Sequence, residues 1–118
     1  PLRPADAPPL DLSGLLETMD GDTAVCRRIL DVFIEDAAVR LEAIRDSLRR
    51  GDAESLARHV HTLKGAAANV GAFRMRELAS LLEAPAAGGG ARGAEALVGE
   101  MARALEEIRQ AADAALKP

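Results

Sequence analysis

Apolar positions recur along the chain at intervals of three and four residues, with polar and charged residues between them. From Thr23 to Arg50 the set Val25, Ile29, Val32, Phe33, Ala37, Leu41, Ile44 and Leu48 keeps this rhythm without a glycine or proline. That predicts one long amphipathic helix, with a bend expected where Asp36-Ala37-Ala38 thins the stripe. Gly51 stands where a left-handed residue closes a helix, and Asp52 where a carboxylate opens the next. So short a connection makes the two helices antiparallel neighbours. The second long helix runs from Asp52 to about Val70, with Leu56, Val60, Leu63 and Ala67 in one narrow stripe, and ends at Gly71.

A further helical pattern restarts at once, with Phe73, Met75, Leu78, Leu81 and Leu82 inward, and fades at Ala84-Pro85. Ala86 to Gly93, containing Gly88-Gly89-Gly90, reads as a flexible loop. It lacks the preceding strand and the Gly-Lys-Ser/Thr of a phosphate-binding loop. The last helix is expected from about Ala94 to Leu116, with Leu97, Met101, Leu105, Ile108, Ala112 and Ala115 inward. Before these, Leu12, Leu15, Leu16 and Met19 support a short helix within Leu10–Met19, broken by Asp20-Gly21-Asp22, where Asp22 is a candidate N-cap. Residues 1–9 hold four prolines and read as a linker or tail. The expected architecture is all-α: an antiparallel up-down four-helix bundle over residues 10–118, with a short extra N-terminal helix.

Composition agrees. The 118 residues fit one core, and the chain is rich in alanine, leucine, glutamate and arginine, with Phe33 and Phe73 its only aromatics. A net charge of -4 with both signs interleaved argues against a nucleic-acid or anionic-membrane surface. Without Trp or Tyr the usual platforms for stacking bases are also missing. Cys26 is the single cysteine and sits in a core stripe by its spacing beside Val25 and Ile29, so no intrachain disulfide can form and a reducing compartment is implied. No apolar run approaches the ~20 residues of a membrane span. The expected location is the cytoplasm, and the start at Pro1 in a proline-rich stretch reads as a domain excised from a longer polypeptide.

The second long helix carries the candidate chemistry. Gly65 lies in its interior, where glycine costs about 0.5–1 kcal/mol relative to alanine. At about 100° per residue, His61, Lys64, Gly65 and Ala68 form a second stripe, roughly 40° to 140° around from Val60. This stripe points outward and offers one imidazole, an ammonium at i+3 and two small residues. His59 lies about 160° around from His61, so the two rings cannot share a metal ion, and no third histidine or second cysteine completes a site. No serine or cysteine has the surroundings of a hydrolase nucleophile. What remains is histidine as a phosphoryl carrier. Neutral imidazole is nucleophilic near neutral pH, and phosphoryl transfer has a loose, charge-spread transition state that needs alignment and positive charge. Lys64 can supply the charge, and Gly65 and Ala68 let a partner approach the ring.

The stretch His61-Thr62-Leu63-Lys64-Gly65 through Gly71-Ala72 resembles the histidine-containing phosphotransfer domain of bacterial two-component phosphorelays. The pattern extends over about Leu10 to Leu82, including the long helix with Phe33, the Gly51-Asp52 turn and Leu78…Leu82-Glu83. The resemblance implies a four-helix bundle in which His61 is phosphorylated, expected at Nε2, and Lys64 stabilises the phosphoryl group. Thr62, Gly65 and Ala68 would then meet a response-regulator receiver domain, docked over the second and third long helices. That partner would carry the aspartyl phosphate and Mg²⁺; this chain itself would need no cofactor or metal and would have no kinase activity. A hybrid sensor histidine kinase is the implied parent or partner, and a monomer is the simplest expectation. Two alternatives stand beside this: the phosphoryl-accepting domain of a chemotaxis-type histidine kinase, and a non-catalytic adaptor bundle.

Overall fold

The computed structural model describes residues 8–83 and 90–116. Five helices follow one another: α1 (Ser13–Thr18), α2 (Thr23–Arg50), α3 (Ala53–Val70), α4 (Phe73–Glu83) and α5 (Gly90–Ala115). Each of α2–α5 packs closely against two of the other three, in the cyclic order α2, α3, α4, α5. The four long helices thus close around one core, and α1 lies against α2 and α3. No described helix is long and apolar enough to cross a membrane.

The two tight connections follow from their residues. Gly51 and Gly71 both take left-handed conformations, φ 66° and 81°. Each closes its helix with paired hydrogen bonds. Gly51 N–H donates to the Leu48 carbonyl and Asp52 N–H to that of Ser47; Gly71 N–H donates to Ala68 and Ala72 N–H to Ala67. Asp52 then turns its carboxylate to the Ser55 N–H at 3.0 Å, and Asp22 does the same for Val25 at 3.1 Å. The Ser55 N–H holds the Asp52 carboxyl below the usual carboxylate range, and Arg50 adds to the effect.

Gly71 has a second constraint. The Asp11 N–H donates to the Gly71 carbonyl at 2.9 Å, and a Cβ at position 71 would collide with the Asp11 carbonyl oxygen. Here the main chain of the N-terminal segment crosses the α3–α4 corner, and only glycine leaves room. Asp11 also accepts from the Ser13 N–H and hydroxyl, which starts α1.

The core comprises Cys26, Leu30, Phe33, Ile34, Ala37, Leu41 and Ile44 of α2, Val60, Leu63, Ala67 and Val70 of α3, Met75, Leu78, Ala79 and Leu82 of α4, and Val98, Met101, Ala104, Leu105, Ile108 and Ala112 of α5. One polar pair interrupts it where α2 meets α3. The Ser47 and Ser55 hydroxyls lie 2.9 Å apart, and Ser47 is also bonded to the Ala43 carbonyl, so neither buried oxygen lacks a partner.

Several expectations are corrected. Val32 and Leu81 are 66% and 46% exposed instead of inward. Val32 lies about 160° around α2 from Leu30, so Ile34 and Leu30 fill the place the stripe assigned to it. Ala115 faces outward while Leu116 is buried, and Val98 is the fully buried neighbour of Leu97, which packs half-buried against the core as expected. Helix α5 begins at Gly90 instead of Ala94, because Ala91 and Arg92 are good helix formers that carry the helix back into the expected loop. The rest of that loop, and most of the proline-rich 1–9 segment, lie outside the described residues. α2 runs without interruption through Asp36-Ala37-Ala38.

Gly71→Ala should lower the unfolding free energy by at least the roughly 1–2 kcal/mol that a left-handed alanine costs, with the Asp11 collision adding to it. Urea denaturation of the two proteins measures this, and an unchanged midpoint would refute the crossing.

Candidate functional site

Burial of Val60, Leu63, Ala67 and Val70 sets the rotation of α3 and leaves Arg58, His61, Thr62, Gly65, Ala68 and Asn69 on its exposed side. The His61 side chain is 80% exposed, so an incoming macromolecule can reach the ring without any part of the bundle opening. Side chains on a helix lean toward its N-terminus. The ring therefore covers the turn holding Ala57 and Arg58 and leaves the Gly65 side open.

Across the α3–α4 groove the last residue of α4 completes the site. Glu83 places Oε2 3.3 Å from His61 Nδ1 and accepts a hydrogen bond from Lys64 Nζ on Oε1 at 3.0 Å. A carboxylate only accepts, so Nδ1 carries the proton of this contact. In the neutral ring the lone pair is then on Nε2, which points away from Glu83. Lys64 above all holds the Glu83 carboxyl below its ordinary range, against the opposing effect of burial and with His61 assisting. The carboxylate thus stays charged at neutral pH and fixes the tautomer that leaves the ring lone pair on Nε2.

The structure brings together His61 and Lys64, and it keeps Thr62, Gly65 and Ala68 on the same exposed side. The Thr62 hydroxyl donates to the Arg58 carbonyl at 3.0 Å, within its own helix. A Cβ on Gly65 would meet no atom within 4 Å. Among the described residues nothing approaches that glycine; the close approach by the protein's own main chain occurs at Gly71. His59 turns to the other flank of α3, where its Nδ1 lies 3.2 Å from Arg40 Nη1, and Arg40 also pairs with Asp36 at 3.3 Å. Among the described residues no group of three His, Cys, Asp or Glu side chains could hold a metal ion.

Glu83 is the functional candidate that the chain's periodicity did not single out. It stands 19 and 22 positions from its partners, at the end of a helix where an exposed glutamate is ordinary. Only the antiparallel α3–α4 pairing delivers it to the histidine.

A family model, the Hpt domain, matches residues 28–115. No curated protein and no solved structure matches the chain.

Because Lys64 is the largest influence on Glu83, Lys64→Ala should raise the Glu83 titration midpoint more than His61→Gln does, as read by carboxyl-detected NMR. The sign follows from the depressed folded-state value. This contact's stabilisation is full above the ordinary glutamate range and fades as acid protonates the carboxyl. A Glu83 midpoint indifferent to Lys64→Ala would break the proposed bridge.

Proposed function

We propose that this chain, which belongs to the Hpt domain family, is a phosphorelay intermediate whose phosphoryl-bearing atom is Nε2 of His61. Hpt domains carry out histidine phosphotransfer in phosphorelays and work with response regulators. The observation that carries the assignment to His61 is its position: an 80% exposed ring whose Nδ1 is held by Glu83. His59 offers no comparable nucleophile, since its Nδ1 faces the Arg40 guanidinium.

In this reading Nε2 attacks the phosphorus of an aspartyl phosphate on a receiver domain. The P–O bond to the aspartate breaks, the carboxylate leaves, and the new P–N bond forms in line with it. The positive charge that develops on the ring is shared through Nδ1–H with Glu83, which strengthens that hydrogen bond as transfer proceeds. The reverse step returns the group to an aspartate. Lys64 moderates the charge of Glu83 and lies one turn from the ring. Magnesium belongs to the receiver and neutralises phosphoryl oxygens there.

Gly65 leaves the surface beside the ring low enough for the receiver's active site to enter. The docking surface extends from Thr62, Gly65 and Ala68 onto α2, where Val32 and Val39 are 66% and 68% exposed. The Arg40–His59 contact marks the side of α2 that meets α3. Val32 and Val39 lie about 80° and 100° from Arg40, turned away from the core. They thus share the outer face of the α2–α3 pair with Gly65 and supply apolar surface to a partner. A cytoplasmic location accords with such a partner.

His61→Gln should abolish phosphoryl uptake from a phosphorylated receiver while leaving the circular dichroism spectrum unchanged. Acid-labile label surviving in that variant would move the site elsewhere. Gly65→Leu and Val39→Asp should each weaken receiver binding in titration calorimetry by about tenfold or more, an effect of ~1.4 kcal/mol. Gly65→Leu should at the same time raise thermal stability, through helix propensity. Unaltered binding by both variants would refute the docking face.

A further inference from the structure

A phosphoryl group on His61 brings close to two negative charges into a setting that has little net positive charge to meet them. Lys64 is committed to Glu83 at 3.0 Å, so the Lys64–Glu83 pair is electrically close to neutral. On α4, Arg76 is bonded to Glu77 at 2.9 Å and lies over the Phe73 ring, and Arg74 reaches Glu107 on α5 at 2.7 Å. One cation of α3 and α4 remains. Arg58 is exposed, and among the described residues its guanidinium makes no hydrogen bond or ion pair. Its field reaches Asp52, where it is the least of the influences on that carboxyl, but the two do not touch.

The position of Arg58 suits the task. It precedes His61 by three residues, a spacing that puts Cβ atoms about 5–6 Å apart on the same helix surface. The imidazole leans toward the N-terminus of α3 and hence over the turn that carries Arg58. Lys64 flanks the ring on the α4 side; Arg58 flanks it on the other, in the same direction around the helix as Gly65 but about two turns nearer the N-terminus. A guanidinium offers paired N–H donors in a plane that matches two oxygens of a phosphoryl group, whereas an ammonium acts as a point charge.

We propose that Arg58 is the phosphoryl-binding residue of the phosphorylated protein, its guanidinium donating to the phosphoryl oxygens on His61 Nε2. This rests on the reading of His61 as the phosphoryl-bearing residue. Lys64 and Glu83 then hold the ring from the Nδ1 side, and Arg58 holds the group that the ring carries. Among the described residues of the unphosphorylated chain the Arg58 guanidinium has no partner, which leaves its donors available to the phosphoryl group.

The test needs no receiver. Phosphoramidate phosphorylates histidine directly, losing ammonia as the ring nitrogen takes the phosphoryl group. The full chain and its Arg58→Ala and Arg58→Lys variants are treated with it, the site is mapped by tandem mass spectrometry, and the phosphoryl group is titrated by ³¹P NMR. A neighbouring cation favours the dianion. Arg58→Ala should therefore raise the phosphoryl titration midpoint by about half a pH unit or more, Arg58→Lys should restore part of the difference, and 1 M salt should shrink it. Coincident titrations of the parent chain and Arg58→Ala would overturn the proposal, even if that variant bound a receiver less well, since Arg58 would then be a docking residue only. Phosphorylation mapping to a residue other than His61 would instead overturn the reading on which the proposal rests, and the proposal with it.

Discussion

The rotation of α3 about its own axis governs everything at the site. Val60, Leu63 and Val70 are buried, and each such side chain contributes about 1.5–3 kcal/mol on leaving water. A slip of one position would turn the helix by about 100° and put His61, Lys64 and Ala68 where Val60, Leu63 and Ala67 now lie. That arrangement would bury an ammonium and an imidazole and expose the apolar stripe, a change no hydrogen bond at the surface could offset. Burial on one side of α3 is thus the cause of exposure on the other, and the position of His61 follows from residues that take no part in its chemistry.

Once the helix is oriented, the site is assembled from two length scales. His61, Lys64, Gly65 and Arg58 are arranged by helical geometry alone, because three or four residues of separation put side chains on one surface. Glu83 is arranged by tertiary structure: the Gly71 corner reverses the chain, and α4 returns antiparallel until its final residue reaches the ring. The local part supplies the exposed imidazole and the nearby cations; the remote part decides which ring nitrogen carries the proton.

This division explains what could be read from the sequence. The boundaries of α2 and α3, their Asp22 and Asp52 caps and the glycines that end them are local signals, and the structure has all of them where the residues place them. The outward stripe on α3 was legible for the same reason. Glu83 was not, since no periodicity within α4 distinguishes a glutamate facing a histidine from one facing water. Val32 and Leu81 were misplaced because a run of apolar residues shows that a stripe exists but leaves its edges ambiguous by one position. Gly71 was legible as a helix terminator but not as the place where the Asp11 main chain crosses, a contact between segments 60 residues apart.

The hydroxyl pair of Ser47 and Ser55 adds a vertical coordinate to this picture. Apolar side chains packed between helices tolerate sliding, because one leucine can take the place of another a turn away. Two hydroxyls cannot: an offset of one turn, about 5.4 Å, would part them and strand a buried oxygen at a penalty of about 1–3 kcal/mol. The pair therefore acts as a detent between α2 and α3. It fixes how far along α3 each residue of α2 stands, so that the outer face the two helices share has one pattern and not several.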